Sequence, residues 1–191
     1  MAHVSIFGTG NMGQAIASVV TNGGNTVESF NQTSPDAPVT GDIIVLAVPY
    51  PALTDILAKR GHEFAGKVVV DITNPLNFET FDSLTVPADG SAAAEIAAAL
   101  PASKVLKAFN TNFAATLASG TVGGQPTTVL IAGDDTDAKT ALTDVLTAGG
   151  LNATDAGSLR RARELEALGF LQLTLAVGEK VAWTGGFAVV S

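Results

Sequence analysis

The first 155 residues alternate short, wholly apolar runs with longer amphipathic stretches. Residues 43–48, for example, read Ile-Ile-Val-Leu-Ala-Val. Strands of this composition are buried on both faces, as they are in a parallel sheet covered by helices. The apolar runs predict strands at 2–7, 26–30, 43–48, 67–71, 104–109 and 127–132. The stretches between them predict helices near 11–21, 51–60, 91–99 and 135–148.

Strands that alternate with helices through right-handed crossovers give an α/β fold with a doubly wound, mostly parallel sheet. After residue 155 the pattern changes, and no further apolar strand follows. We therefore expect one domain over 1–155 and a C-terminal helical extension over 156–191, which packs on the domain or partly on a second subunit in a homodimer. The extension is predicted to be one long helix over 159–183, with leucines at 159, 165, 168, 171 and 175.

A glycine motif lies between the first strand and the first helix. The strand leads directly into Gly8-Thr9-Gly10-Asn11-Met12-Gly13, a Gly-x-Gly-x-x-Gly sequence, and a helix-forming run follows. Gly8 permits the tight turn, Gly10 lets backbone amides approach a pyrophosphate, and Gly13 lets the helix pack closely on the strand. The helix start binds the anion without a lysine. The motif predicts a dinucleotide site over 1–155.

Composition limits the possible partners. The formal net charge is −8 and the pI is near 4.5, which argues against nucleic acid or an anionic membrane as a partner. The chain has no cysteine, so disulfides, thiolate nucleophiles and cysteine-based zinc sites are excluded, and we predict no metal site. No signal peptide is visible, and no apolar run approaches the ~20 residues of a membrane helix. These features predict a cytoplasmic protein.

The residues after the second strand bear on which nucleotide binds. NAD-selective sites place an acidic residue there to hold the ribose hydroxyls, but this chain has Phe30 or Asn31, and Glu28 comes two residues too early. The lack of an acid favours NADP over NAD, although the usual arginine is also missing. The candidates for a 2′-phosphate contact, which are alternatively simple turn formers, are Asn31, Gln32, Thr33 and Ser34.

No residue at the predicted cofactor edge is an obvious acid or base. His3 opens the first strand and His62 ends a helix at the opposite edge. Tyr50 has Thr54 four residues on, so no Tyr-x-x-x-Lys pair is present, and Asp71 is expected to satisfy loop amides. We therefore predict no catalytic side chain. Reduction of an alcohol or imine requires a proton carrier, whereas hydride transfer to a flavin requires mainly two stacked rings.

Three arginines lie where the long helix is predicted to begin. Arg160, Arg161 and Arg163 are close in sequence to Glu164 and Glu166, which predicts a solvated face of self-paired charges. The alternative is a phosphate contact to the tail of a flavin mononucleotide.

Several further segments occur together in a recognisable order. They are Ala47-Val48-Pro49, residues 71–76 with Asn74-Pro75, Lys107-Ala108-Phe109-Asn110-Thr111, and the stretches 132–139 and 155–166. As a set, they resemble the deazaflavin (coenzyme F420)-dependent NADP reductase family and the oxidoreductase domain of the six-transmembrane metalloreductases. The resemblance covers nearly the whole chain and is greatest to the short bacterial dinucleotide-binding members.

The resemblance implies a Rossmann-type domain that binds NADPH and passes hydride to a flavin or deazaflavin. The chain departs from the family in lacking a basic residue after the second strand. Asn74 and Asn110 would anchor the carboxamide, or they are loop caps that bind nothing. By position, Gly8, Thr9, Gly10, Asn11 and Met12 would bind the pyrophosphate, Asn31, Gln32 and Thr33 the adenosine phosphate, Ala47, Val48 and Pro49 the ribose and ring, and Asn74, Pro75, Phe109 and Asn110 the nicotinamide.

Two other functions stay open at this point. One is a small-metabolite dehydrogenase of the pyrroline-carboxylate or 3-hydroxyacid type, which begins with a similar glycine motif but carries a catalytic helical domain afterwards. The other is a nucleotide-sensing module without turnover, which the missing proton donor also fits.

Overall fold

The computed structural model describes residues 1–31 and 37–190. A seven-stranded sheet forms its centre, with strand order β2-β1-β3-β4-β5-β8-β9, and a two-stranded hairpin of β6 and β7 stands apart. The strands are β1 (His3–Phe7), β2 (Thr26–Phe30), β3 (Ile43–Leu46), β4 (Val68–Asp71), β5 (Lys104–Lys107), β6 (Thr121–Val122), β7 (Gln125–Pro126), β8 (Thr128–Gly133) and β9 (Asn152–Gly157). The helices are α1 (Asn11–Asn22), α2 (Leu53–Arg60), α3 (Ala92–Ala99), α4 (Ala114–Ser119), α5 (Thr136–Ala148) and α6 (Ala162–Val177).

The sheet is parallel except at one pairing. β5 and β8 are antiparallel, and every other neighbouring pair in the sheet runs parallel. α4 and the β6–β7 hairpin stand between β5 and β8 in the chain. The mostly parallel, doubly wound α/β fold is therefore confirmed.

Two apolar layers cover the two faces of the sheet, because alternate side chains of a strand point to opposite faces. Val4 and Ile6 of β1 pack into a core that includes α1 and α5. Phe7 packs into the other core, which includes Phe64 and Ile96 of the segments between β3 and β5. Helices on both faces explain why the central strands are wholly apolar.

Most predicted elements appear within a few residues of their predicted limits. Ser91 caps α3 as its sequence context indicates, since its Oγ accepts a hydrogen bond from Ala94 N at 3.0 Å. The long helix predicted over 159–183 is shorter, because Leu159–Arg161 form a 3₁₀ turn and the α-helix ends at Val177, with Gly178 as its C-cap. The seventh strand, β9, was not predicted. It lies at an edge of the sheet and is mostly polar, so it lacks the apolar signature of a central strand.

Candidate functional site

The glycine loop has the geometry that its sequence predicts. Gly8 has φ +117°, and a Cβ added there would lie 2.0 Å from Ala47 O. A Cβ on Gly13 would lie 2.0 Å from Gly8 O, so only glycine lets α1 pack against the turn. Gly10 differs, because nothing lies within 4 Å of a Cβ added there. The open side of the loop therefore faces free space at the N-terminus of α1, where an anion is favoured.

The loop is tied to the ends of both neighbouring strands. Gly8 N donates a hydrogen bond to Phe30 O at 2.9 Å, and Ala47 N donates to Phe7 O at 2.8 Å. Val48 lies next to Gly8, with its Cγ1 3.4 Å from the position of a Cβ. The glycine loop, the end of β2 and residues 47–48 thus meet at the carboxyl edge of the sheet, where ligands of open α/β sheets bind.

A cleft of about 390 Å³ opens at the same edge. It contains five of the residues that the sequence singles out, namely Asn11, Met12, Asn74, Phe109 and Asn110. The rest of its lining was not predicted, and it comes from the end of β4, the segment that begins α4, and residues in and after α6. These residues are Ile72, Asn112, Phe113, Ala114, Ala115, Leu173 and Trp183.

Asn74 and Asn110 bind one another at this cleft. Asn74 Nδ2 donates to Asn110 O at 2.8 Å, and Asn110 Nδ2 donates to Asn74 Oδ1 at 2.9 Å and to Leu165 O at 2.7 Å. Gly169 of α6 packs directly on the pair, since a Cβ there would lie 2.3 Å from Asn74 Oδ1. A glycine inside an otherwise leucine-rich helix is the sequence signal for such a close approach.

The backbone between β5 and α4 is strained beside the same cleft. Phe109 has φ +62° although it is not glycine, and Asn110 N donates to Ala108 O at 2.8 Å across it. A three-residue turn with positive φ is rare and costly. Backbone strain of this kind is concentrated at binding and catalytic sites.

A buried ionic cluster lies at the carboxyl ends of β4 and β5. Asp71 and Lys107 are cross-strand partners, and Lys107 Nζ lies 2.7 Å from Asp71 Oδ2 and 2.8 Å from Glu166 Oε1. The third bond of Lys107 goes to Thr73 O at 2.5 Å. All three ionic side chains are fully buried. Asp71 also accepts from Thr73 N at 2.8 Å, which is the amide-satisfying role predicted for it.

Glu166 corrects one expectation from the sequence. Arg161 and Arg163 pair with Glu164 at 3.4 and 2.7 Å on the surface, as predicted, but Glu166 points into the protein. Glu166 lies on the buried face of α6. Glu166 also accepts from the N–H groups that open α3, at 3.0 and 3.4 Å. Burial raises the pKa of Glu166, and the Lys107 ammonium opposes that rise.

Tyr50 lies outside this cleft. It opens a short 3₁₀ turn before α2, and it lines a separate groove of about 510 Å³ between α2 and α3. Its hydroxyl donates to Glu95. Burial, followed by this hydrogen bond and the Glu95 charge, raises the pKa of Tyr50 to about 12.

Residues 27–75 match the family described as NADP oxidoreductase, coenzyme F420-dependent. Over 154 residues, the chain is 31% identical to the F420-dependent NADP reductase of Methanocaldococcus jannaschii, and the alignment covers 78% of this chain and 69% of that protein. The chain belongs to the F420-dependent NADP oxidoreductase family. It is thus a member of a family of NADP-dependent oxidoreductases, and the family that its motifs resemble is confirmed.

The chain is also similar to two other proteins. The chain is 32% identical over 140 residues to the rat Metalloreductase STEAP3, covering 73% of this chain but 27% of that protein. A crystal structure from Arthrobacter sp. FB24, named as a candidate F420-dependent NADP reductase, covers 100% of both chains with a TM-score of 0.87 and 22% identity. This structural match supports the fold. Within residues 1–31 and 37–190, no helix is both long and apolar enough to cross a membrane.

Near the end of β2, where the sequence predicts the adenosine contacts, the carboxylate of Glu28 is engaged by other residues. It accepts from Ser5 Oγ at 2.5 Å and from Thr40 N and Gly41 N at 2.7 and 3.2 Å. These hydrogen bonds lower the pKa of Glu28 against the opposing effect of its burial. Asn31 directly follows β2. The other three candidates for a phosphate contact, Gln32, Thr33 and Ser34, lie outside the described residues.

Both prolines that were predicted for the site lie outside the cleft lining. Pro49 is exposed and precedes the turn that begins α2. Pro75 is buried, and its carbonyl oxygen accepts from Thr85 N at 2.6 Å and from Thr85 Oγ1 at 2.9 Å. The side chain of Asn74 lines the cleft, while the backbone that follows it turns towards residues 76–85.

Proposed function

We propose that this protein binds NADPH along the glycine loop and transfers hydride to a flavin or deazaflavin ring in the cleft. The observation that carries the proposal is the chemistry of the cleft lining. Asparagine amides and apolar side chains line it, and none of its described lining residues is ionisable. A cleft without an acid or base suits transfer between two stacked rings better than reduction of an alcohol or imine.

The residues present fit a dinucleotide. Gly10 leaves open space at the start of α1, so backbone N–H groups there would hold the pyrophosphate. Asn110 Oδ1 is buried and has no hydrogen-bond partner among the described residues. Because Asn110 Nδ2 is held by Leu165 O and Asn74 Oδ1, the free atom of the amide is the acceptor. It would accept a hydrogen bond from the carboxamide of the nicotinamide.

NADP is the proposed nucleotide in preference to NAD. The carboxylate of Glu28 is bound to Ser5, Thr40 and Gly41, so it is not available to hold the ribose hydroxyls. A 2′-phosphate would meet Asn31 and, by our prediction, Gln32 and Thr33. The similarity to a protein named as an NADP reductase supports the same preference.

When bound, NADPH supplies a hydride from the nicotinamide C4, leaving NADP⁺. The acceptor ring gains that hydride together with one proton from water, which balances the charge. The protein's own residues orient the two rings and exclude solvent: Met12, Ile72 and Phe109 give the cleft apolar walls. No side chain has to carry a proton in this scheme.

The test is oxidation of NADPH and of NADH by the purified protein, each with FMN, FAD and coenzyme F420 as acceptor. We expect turnover that prefers NADPH, followed at 340 nm, with one acceptor clearly favoured. Saturable NADPH binding without turnover on any acceptor would contradict the reductase and favour a nucleotide-sensing module. Turnover with a small imine or hydroxyacid instead would favour a metabolite dehydrogenase.

We also propose that the exposed part of α6 contacts a second copy of the chain. Leu171 is 49% exposed and Val177 is 45% exposed, and both are apolar. Light scattering at several concentrations tests this, with a monomer at all concentrations as the contradicting result.

A further inference from the structure

The cleft has a second wall that the nucleotide does not account for. It is formed by the segment that enters α4 and by residues in and after α6. Neither segment belongs to the glycine loop or to a strand end of the nucleotide site. This acceptor wall consists of Asn112, Phe113, Leu173 and Trp183.

Trp183 is the only tryptophan of the chain, and it stands at the rim of the cleft with 52% of its surface exposed. Its ring packs on that of Phe113, with centroids 5.0 Å apart and a 53° tilt. Phe113 itself is buried. Together they offer an aromatic surface suited to stacking against another planar ring.

The segment that carries Trp183 is fixed to the rest of the wall by one buried side chain. Gln172 of α6 accepts a hydrogen bond from Phe187 N at 3.1 Å and donates one to Thr111 O at 3.2 Å. Thr111 directly precedes Asn112, so Gln172 links the tail to the loop on which the wall is built. Trp183 is thereby held over the cleft rather than left on a loose end.

Asn112 supplies the polar group of this wall. It is 8% exposed, and its Nδ2 donates to Thr128 O at 3.1 Å. A carbonyl oxygen only accepts, so this bond fixes the amide orientation and leaves Asn112 Oδ1 as the remaining acceptor. That oxygen is buried and has no hydrogen-bond partner among the described residues. A buried polar atom without a partner is rare and needs an explanation, and a donor on a ligand in the cleft supplies one.

We infer that Asn112, Phe113 and Trp183 select the acceptor by its ring, an inference that rests on the proposed function. Asn112 Oδ1 accepts a hydrogen bond from an N–H on the polar edge of a planar heteroaromatic ring, and Trp183 with Phe113 packs on its apolar part. Flavins and deazaflavins share this edge, an N–H between two carbonyl groups. A small imine or a hydroxyacid has neither the edge nor the aromatic face.

Because Trp183 is the only tryptophan, its fluorescence reports directly on this wall. With excitation at 295 nm and in the absence of NADPH, we expect FMN or coenzyme F420 to quench the fluorescence of Trp183 saturably. The signal is corrected for absorption of light by the ligand. Asn112→Leu should weaken the acceptor Kd by about tenfold, as expected for one lost hydrogen bond to a buried partner. The Kd of NADPH, measured by its own fluorescence, should stay unchanged. Asn152→Leu, the same change on an exposed residue of β9, is the matched control.

Trp183→Leu and Trp183→Phe extend the test to a half-exposed residue whose replacement leaves the core intact. We expect the acceptor KM to rise about fivefold to tenfold in Trp183→Leu and to recover in Trp183→Phe, which restores an aromatic face. Wild-type acceptor KM in both Asn112→Leu and Trp183→Leu would overturn the inference while leaving the reductase intact. Saturable quenching without any turnover would instead contradict the proposed function and leave the ring-binding wall in place.

Discussion

Asn74 and Asn110 bind one another through two hydrogen bonds, 2.8 and 2.9 Å long, although 36 residues separate them in the chain. The pair joins the loop after β4 to the loop after β5. The amide nitrogen of Asn110 is held by Asn74 and Leu165, whereas its amide oxygen has no hydrogen-bond partner among the described residues. The two loops therefore form one preorganised surface at the cleft.

Gly169→Ala should disturb this surface. The added methyl group would lie 2.3 Å from Asn74 Oδ1 and 2.8 Å from Asn110 O, so α6 or the pair must move. Alanine favours a helix by about 1 kcal/mol over glycine, but we expect the overpacking to dominate and to lower the free energy of unfolding by ~1–3 kcal/mol. Urea denaturation of the variant and the wild type measures this change in the free energy of unfolding. A more stable variant would show that helix propensity dominates and that the close approach is not needed.

The three glycines of the loop should respond differently to valine. Gly10→Val should keep the fold, because its side chain enters open space, yet lose NADPH binding, because that space is where we propose that the pyrophosphate binds. Gly8→Val and Gly13→Val should lose stability, since each places a Cβ 2.0 Å from a backbone oxygen. Circular dichroism and NADPH titration separate the two outcomes. Undiminished NADPH affinity in folded Gly10→Val would contradict the site.

Lys107→Met should be strongly destabilising. It removes the only cation of the cluster and leaves Asp71 and Glu166 as two buried carboxylates, a change expected to cost about 3–5 kcal/mol. Chemical denaturation gives the difference in free energy of unfolding. The double variant Lys107→Met, Glu166→Gln should recover part of the loss, because one of the two charges is then neutral. Equal stability of Lys107→Met and the wild type would show that the cluster contributes nothing.

Tyr50 is the only tyrosine of the chain, so the ionisation of its hydroxyl can be followed directly. Titration at 295 nm should give a pKa of about 12 rather than 10. Since the folded state holds the hydroxyl proton more tightly than the unfolded state, this contribution to stability is complete below pH ~10 and is lost as pH rises through the folded pKa. Glu95→Gln should lower the pKa of Tyr50 only part of the way towards 10, because the burial of the hydroxyl remains. A pKa near 10 in the folded wild type would contradict the contact.

The glycine loop and the central strands could be predicted because their causes are local. A glycine is needed where a Cβ would meet Ala47 O, and an apolar run is needed where both faces of a strand are covered. Asn74 and Asn110 were found in the same way, since residues that follow parallel strands share one edge of the sheet.

The proposed acceptor wall and the ionic cluster could not be predicted, because the residues that form them are distant in sequence. Glu166 looks like a surface residue beside three arginines, and only the docking of α6 shows that it meets Lys107, 59 positions earlier. The leucine pattern predicts a continuous helix as far as Trp183. The place of Trp183 in the cleft lining instead depends on the helix ending before Gly178. β9 lacked an apolar run because an edge strand needs fewer buried side chains.

The position of Glu166 in the chain also bears on how the protein is made. Every strand of the sheet precedes Glu166 in the chain. Glu166 nevertheless completes the hydrogen bonding of Lys107, at the carboxyl ends of β4 and β5, and of the N–H groups that open α3. While the ribosome is still adding residues before 166, Lys107 has only Asp71 as an anionic partner, and the N–H groups that open α3 lack the carboxylate of Glu166. The last bonds of the cluster therefore form only after α6 has been synthesised.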